Sequence, residues 1–97
     1  MSMSGPTVTV SVTLYTQPGC VDSDRVRRLL RARGVPFIER DVGRDADAAA
    51  ALARTGIFAT PLLVVTGPGE RTVFGYRPAE IAAALTAAGR WPPDEDR

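Results

Sequence analysis

Lysine and histidine are absent from this chain, and cysteine occurs once. Without histidine there is no imidazole base and no imidazole metal ligand. Without lysine there is no amine nucleophile. All twelve basic residues are therefore arginines, in a sequence rich in alanine and glycine. A single cysteine excludes an intrachain disulfide, a two-cysteine redox pair and an all-cysteine zinc site, so no bound metal is expected. An unpaired thiol fits a reducing compartment, and a cytoplasmic location is expected. The net charge is only +1, too little to attract nucleic acid or an anionic membrane, and neither is expected as a partner. No apolar run is long enough to span a bilayer. Met1 to Pro6 has neither a charged n-region nor an apolar h-region. It reads as a flexible leader rather than a signal peptide.

What remains in 97 residues is one small domain, expected over 7–89, with a polar tail over 90–97 from which Trp91 folds back. Val8, Val10, Val12 and Leu14 alternate with Thr9, Ser11 and Thr13, a strand that ends at Tyr15 and Thr16. Pro18-Gly19 breaks it. From Asp22 to Arg33, Val26, Leu29 and Leu30 make one apolar face, opposite Arg25, Arg27, Arg28 and Arg31, which read as a solvated face. Gly34 stops this helix, and Pro36 to Val42 predicts a second strand, parallel to the first. Asp45 to Arg54 is an alanine-rich helix closed by Gly56. Pro61 to Thr66 is a continuous apolar run that suits a buried strand. The turn at 67–70 returns the chain as a hairpin into Arg71 to Gly75. Pro78 opens a last helix to Ala88. The order β-α-β-α-β-β-α predicts an α/β fold with a four-stranded mixed sheet flanked by helices.

Cys20 stands between the first strand and the first helix, in Thr16-Gln17-Pro18-Gly19-Cys20-Val21-Asp22-Ser23. A helix N-terminus favours negative charge, hence thiolate over thiol. Ser23 lies one turn along, placed to donate a hydrogen bond to the sulfur. Asp22 and Asp24 oppose ionisation by like charge, and Arg25 offsets them in part.

Three motifs in order resemble the thioredoxin superfamily on its glutaredoxin side, most of all the NrdH-redoxins. The first is strand-Tyr15-Thr16-Gln17-Pro18-Gly19-Cys20-x-x-Ser23, similar to strand-T-x-P-x-C-x-x-C. The second is Ala59-Thr60-Pro61 before an apolar strand. The third is Phe74-Gly75-Tyr76-Arg77-Pro78. The match runs from about Thr7 to Ala88. It implies a thioredoxin-like fold and a thiol–disulfide oxidoreductase with Cys20 as nucleophile and Ser23 as its helper. It implies a cis Thr60–Pro61 bond, whose exposed Thr60 backbone pairs with a bound peptide or glutathione. It further implies a binding surface of Tyr15, Gln17, Pro18, Thr60, Pro61, Gly75, Tyr76 and Arg77. There Gly75 admits a ligand backbone and Arg77 contacts a carboxylate.

Ser23 stands where dithiol members carry a resolving cysteine, so a two-cysteine mechanism is excluded. Gln17 stands where glutathione-binding members often have lysine, and their Gly-Gly-acidic segment is absent. The expected substrate is a protein disulfide or a mixed disulfide with a low-molecular-weight thiol, glutathione or a mycothiol type. An external thiol or reductase supplies electrons, no cofactor is bound, and the chain is a monomer. Alternatives are a non-catalytic adaptor or iron–sulfur carrier on the same fold, and an arsenate-reductase-like enzyme, suggested by Cys20-Val21-Asp22-Ser23 with Arg25. A serine at 23 is also what an engineered replacement of a resolving cysteine would leave.

Overall fold

In order along the chain the elements are β1 (Ser11–Thr16), α1 (Val21–Ala32), β2 (Ile38–Asp41), α2 (Ala46–Arg54), β3 (Leu62–Thr66), β4 (Glu70–Phe74) and α3 (Pro78–Ala87). They come from a computed structural model that describes residues 9–92. The expected leader at 1–6, Val8 of the first alternating run, and residues 93–97 of the expected tail lie outside the described residues. The sheet order is β2-β1-β3-β4. β1 runs parallel to β2, with Thr13 opposite Ile38 and Leu14 opposite Glu39. β3 is antiparallel to both β1 and β4. The α/β class, the element order and the mixed four-stranded sheet are as expected.

Alternation along β1 divides the molecule into two layers of core. Val12 and Leu14 face α1 and α3, where they meet Val26, Leu30, Ile81, Ala84 and Leu85. Tyr15 faces the other way, onto Ala48 and Leu52 of α2. β3 serves both layers: Leu63 and Val65 face α1 and α3, while Leu62 faces α2. That is why its sequence is a continuous apolar run rather than an alternating one. Each fully buried Leu or Ile of the larger layer contributes about 1.5–3 kcal/mol of transfer free energy. α1 is thus held firmly by its apolar face, and the residues at its start are carried on a fixed body.

Of the boundaries that differ from expectation, those of β2 and α1 bear on the thiol turn. β2 is shorter than 36–42, because pairing with β1 begins at Ile38 and Pro36 has no N–H to donate. Past Asp41 one ladder bond remains, from the Val42 N–H to the Thr16 carbonyl at 2.9 Å. α1 begins at Val21, one residue before the expected start, which makes Cys20 its N-cap. Trp91 packs against the larger layer and carries the Arg33 guanidinium 5.0 Å from its ring. Among the described residues, no helix is long and apolar enough to cross a membrane.

Candidate active site at the start of α1

β1 delivers the chain at Thr16 to a tight turn closed by the Cys20 N–H on the Gln17 carbonyl at 3.2 Å. Pro18 rests on Gly43, where an added Cβ would lie 3.0 Å from Pro18 Cδ. A side chain at 43 would require Pro18 to give by a few tenths of an ångström. Cys20 has extended backbone, φ −89 and ψ 111, and its carbonyl already accepts from the Asp24 N–H at 3.2 Å. Its side chain therefore occupies the position from which Ser, Thr, Asp or Asn caps the second and third amides of a helix. Those amides belong to Asp22 and Ser23. The neutral thiol is a weak acceptor and forms no regular cap bond. A thiolate is a strong acceptor, and the two amides favour it.

The Cys20 thiol is held below its ordinary value. The Ser23 hydroxyl is the largest cause, opposed by partial burial and reinforced by the Ser23 N–H, the Thr60 side chain and the Asp22 N–H. Ser23 is 0% exposed, yet its Oγ has no regular hydrogen-bond partner. The expected Ser23 bond to the sulfur is thus not made to the neutral thiol. The hydroxyl is near enough to favour the charged form, and the amides alone set the same direction. Asp22 and Asp24, the charges expected to oppose ionisation, are each paired with an arginine. Arg25 Nη1 lies 3.7 Å from Asp22 Oδ1, and Arg27 pairs with Asp24. Neither carboxylate figures among the causes acting on Cys20.

The second and third motifs converge on the same turn. The Thr60–Pro61 peptide is cis. The Cys20 thiol donates to the Thr60 carbonyl at 3.9 Å, and the Thr60 hydroxyl donates to Gln17 Oε1 at 3.4 Å. The Gly75 N–H donates to the Pro61 carbonyl at 2.9 Å. Tyr76 is partly exposed beneath the Arg25 guanidinium, 5.8 Å from its ring. Gln17, Pro18, Cys20, Ser23, Thr60, Pro61, Gly75 and Tyr76 thus share one end of the sheet.

One expectation needs correction, that for Tyr15. Tyr15 is 7% exposed and packs with Ala48, Leu52 and Leu62, so it supports the strand rather than lining an open surface. Gly75 has φ 84, and an added Cβ would meet only Arg77 Nε at 4.0 Å. Glycine is favoured there by backbone conformation, and the space beside it is open. Arg77 is the N-cap residue of α3 and pairs with Glu80 at 3.3 Å, and among the described residues no hydrogen bond or ion pair ties it to the Cys20 turn.

Sequence reading missed four residues. Val21 and Phe58 are 64% and 77% exposed, one adjoining Cys20 and the other two places before Thr60. A bulky apolar residue so close to Ala59-Thr60-Pro61 was the available signal for Phe58. Arg27 and Glu39 join in a bidentate pair. The Arg27 spacing from Asp24 was legible, but a partner on β2 requires the fold.

The glutaredoxin family model matches residues 12–68. The chain is 31% identical to the Gene 56 protein of Mycobacterium phage L5 over 75 residues, 77% of this chain and 72% of that protein. Among solved structures it is similar to the thioredoxin-like protein BC3987, with TM-score 0.71 and 29% identity over 77% of this chain and 100% of the other. It is also similar to the glutaredoxin-like NrdH-redoxin of Escherichia coli, with TM-score 0.65 and 28% identity over 87% and 97%. With a thiol at the N-cap position of α1 beside a cis proline, and with a family model that covers both, the chain belongs to the glutaredoxin family and its function is of the thiol–disulfide redoxin type.

Proposed function

We propose that this protein is a monothiol oxidoreductase that reduces mixed disulfides through Cys20. The carrying observation is the pairing of Cys20 as the uncapped start of α1 with a buried, unpartnered Ser23 in place of a second thiol. The Cys20 thiolate attacks one sulfur of a protein–thiol disulfide. The old S–S bond breaks, a Cys20 mixed disulfide forms, and the released thiolate takes a proton from solvent. A second thiol then attacks that mixed disulfide, frees the Cys20 thiolate and leaves as the new disulfide. The two electrons come from the external thiols. Ser23 favours the thiolate but supplies no sulfur for internal release.

The Thr60 carbonyl beside the sulfur offers an acceptor to the backbone of an extended polypeptide, and the exposed Val21 and Phe58 offer it apolar contact. The reading is therefore of a polypeptide disulfide, with a low-molecular-weight thiol of glutathione or mycothiol type as the other half. The working form is a monomer in a reducing compartment.

The test is the pH profile of Cys20 alkylation by iodoacetamide, followed by mass. A midpoint below the free-thiol value of about 8.5 is expected. Incubation with a peptide–glutathione disulfide should then give a Cys20 adduct that an added thiol releases. A midpoint at the free value with no adduct sinks the reading and leaves a binding module on the same fold.

A further inference from the structure

One side-chain network spans the turn that carries the thiol. Arg27 lies on α1, with its side chain 23% exposed. Its Nε donates to Glu39 Oε1 at 2.8 Å and its Nη2 to Glu39 Oε2 at 2.6 Å, a two-pronged grip on a β2 carboxylate. Its remaining prong, Nη1, donates to Asp24 Oδ1. Glu39 Oε2 also accepts from the Thr16 hydroxyl at 2.9 Å, and Thr16 is buried. Thr16 is the last residue of β1 before the turn, and Asp24 lies in the first turn of α1 after it. The series Thr16–Glu39–Arg27–Asp24 therefore grips the Cys20 segment at both ends.

The same arrangement settles a charge. Asp24 follows Cys20 by four residues, one helical turn, so the two lie on the same face at the start of α1. Left alone, the Asp24 carboxylate would repel a thiolate. Arg27 is aimed at it by the Glu39 grip, which leaves the guanidinium no freedom to swing away. Other charges near the turn are already matched. Asp22 is paired with Arg25 on α1, and Arg77 with Glu80 at the start of α3. Tyr76 carries the Arg25 guanidinium over its ring. On the β2–α2 connection Asp41 is matched by Arg44, and Asp45 by Arg40 of β2. The segment 55–60 before Pro61 contains no ionisable side chain.

We infer that Arg27 is a positioning residue for Cys20: held by Glu39, it keeps its charge against Asp24 and weakens the repulsion which that carboxylate would otherwise exert on the thiolate. This rests on the reading of Cys20 as the nucleophile. The test uses the full chain and the same alkylation profile. A wild-type midpoint in the free-thiol range removes that reading, whatever Arg27 does.

With the wild-type midpoint lowered, Arg27→Gln is expected to move it upward by about half a unit, a roughly threefold loss of rate at pH below the midpoint. The rate well above the midpoint should be unchanged. Adding Asp24→Asn to that variant should restore the wild-type profile. A merely structural Arg27 gives no such rescue. An Arg27→Gln profile that superimposes on wild type overturns the inference, and so does a raised midpoint that Asp24→Asn leaves raised. Should Arg27→Gln fail to fold, Asp24→Asn alone carries the test. It removes one of the two carboxylates paired with Arg27 beside the first turn and should lower the midpoint, and an unchanged midpoint overturns the inference.

Discussion

α1 and α2 both leave a strand through a short turn, yet their first residues do opposite things. At α2, Asp45 caps the helix: its Oδ1 accepts from the Asp47 N–H at 2.9 Å and the Ala48 N–H at 3.3 Å. At α1, Cys20 holds the same position and makes no such bond. The donors that α2 satisfies for stability are left at α1 for a charge that forms only when the thiol ionises. One helix start is finished as folded, and the other is completed by its chemistry.

The sharpest break of this contrast is Cys20→Ser. It removes all alkylation and all disulfide exchange while supplying a true cap, so stability should rise by up to about 1 kcal/mol in urea titration. A loss of stability would mean that Cys20 packs as a core residue. Ser23→Cys should restore what the turn lacks. Mild oxidation should then close a disulfide between Cys20 and the introduced thiol, seen by mass as the loss of two hydrogens. Ser23→Ala removes the hydroxyl that is the largest cause of the lowered thiol. Its alkylation midpoint should rise by about half a unit to one unit, a roughly three- to tenfold loss of rate below the midpoint. Because the deleted hydroxyl is buried and unpartnered, the fold should lose nothing.

Asp45→Ala tests the other helix. It should cost about 1 kcal/mol and leave the Cys20 profile where it is. The smallest effect concerns acid. Glu39 is held below its ordinary value of 4.5 by the Arg27 hydrogen bond first and the Thr16 hydroxyl next. A carboxyl lowered on folding contributes stability that is present above its unfolded value and lost as pH falls through its folded value. Urea titrations from pH 6 downward should show that loss in wild type, and a flatter curve below about pH 4.5 in Glu39→Gln.

The apolar alternation of β1, the continuous run of β3 and the Pro–Gly breaks made the fold readable, because each reflects which faces a segment buries. The convergence of Cys20, Thr60 and Gly75 was readable through the motifs. What escaped reading depends on distances across the fold. Tyr15 looked like a cleft residue because it precedes the turn, whereas strand alternation sends it toward α2. Arg27 looked like any other arginine of an exposed helix face, since its partner Glu39 lies on a neighbouring strand. Arg25 was read as a partial offset to Asp22 and Asp24, but the pairing of Asp24 with Arg27 is a matter of rotamers.

Serine at position 23 also changes the reaction order of release. A neighbouring thiol in the same chain would act at a fixed effective concentration, indifferent to its surroundings. In the proposed monothiol cycle the second step is bimolecular, so the lifetime of a Cys20 mixed disulfide would scale inversely with the concentration of free thiol around it. The adducted fraction of the protein would then measure that pool, rising when thiols are depleted and falling when they recover.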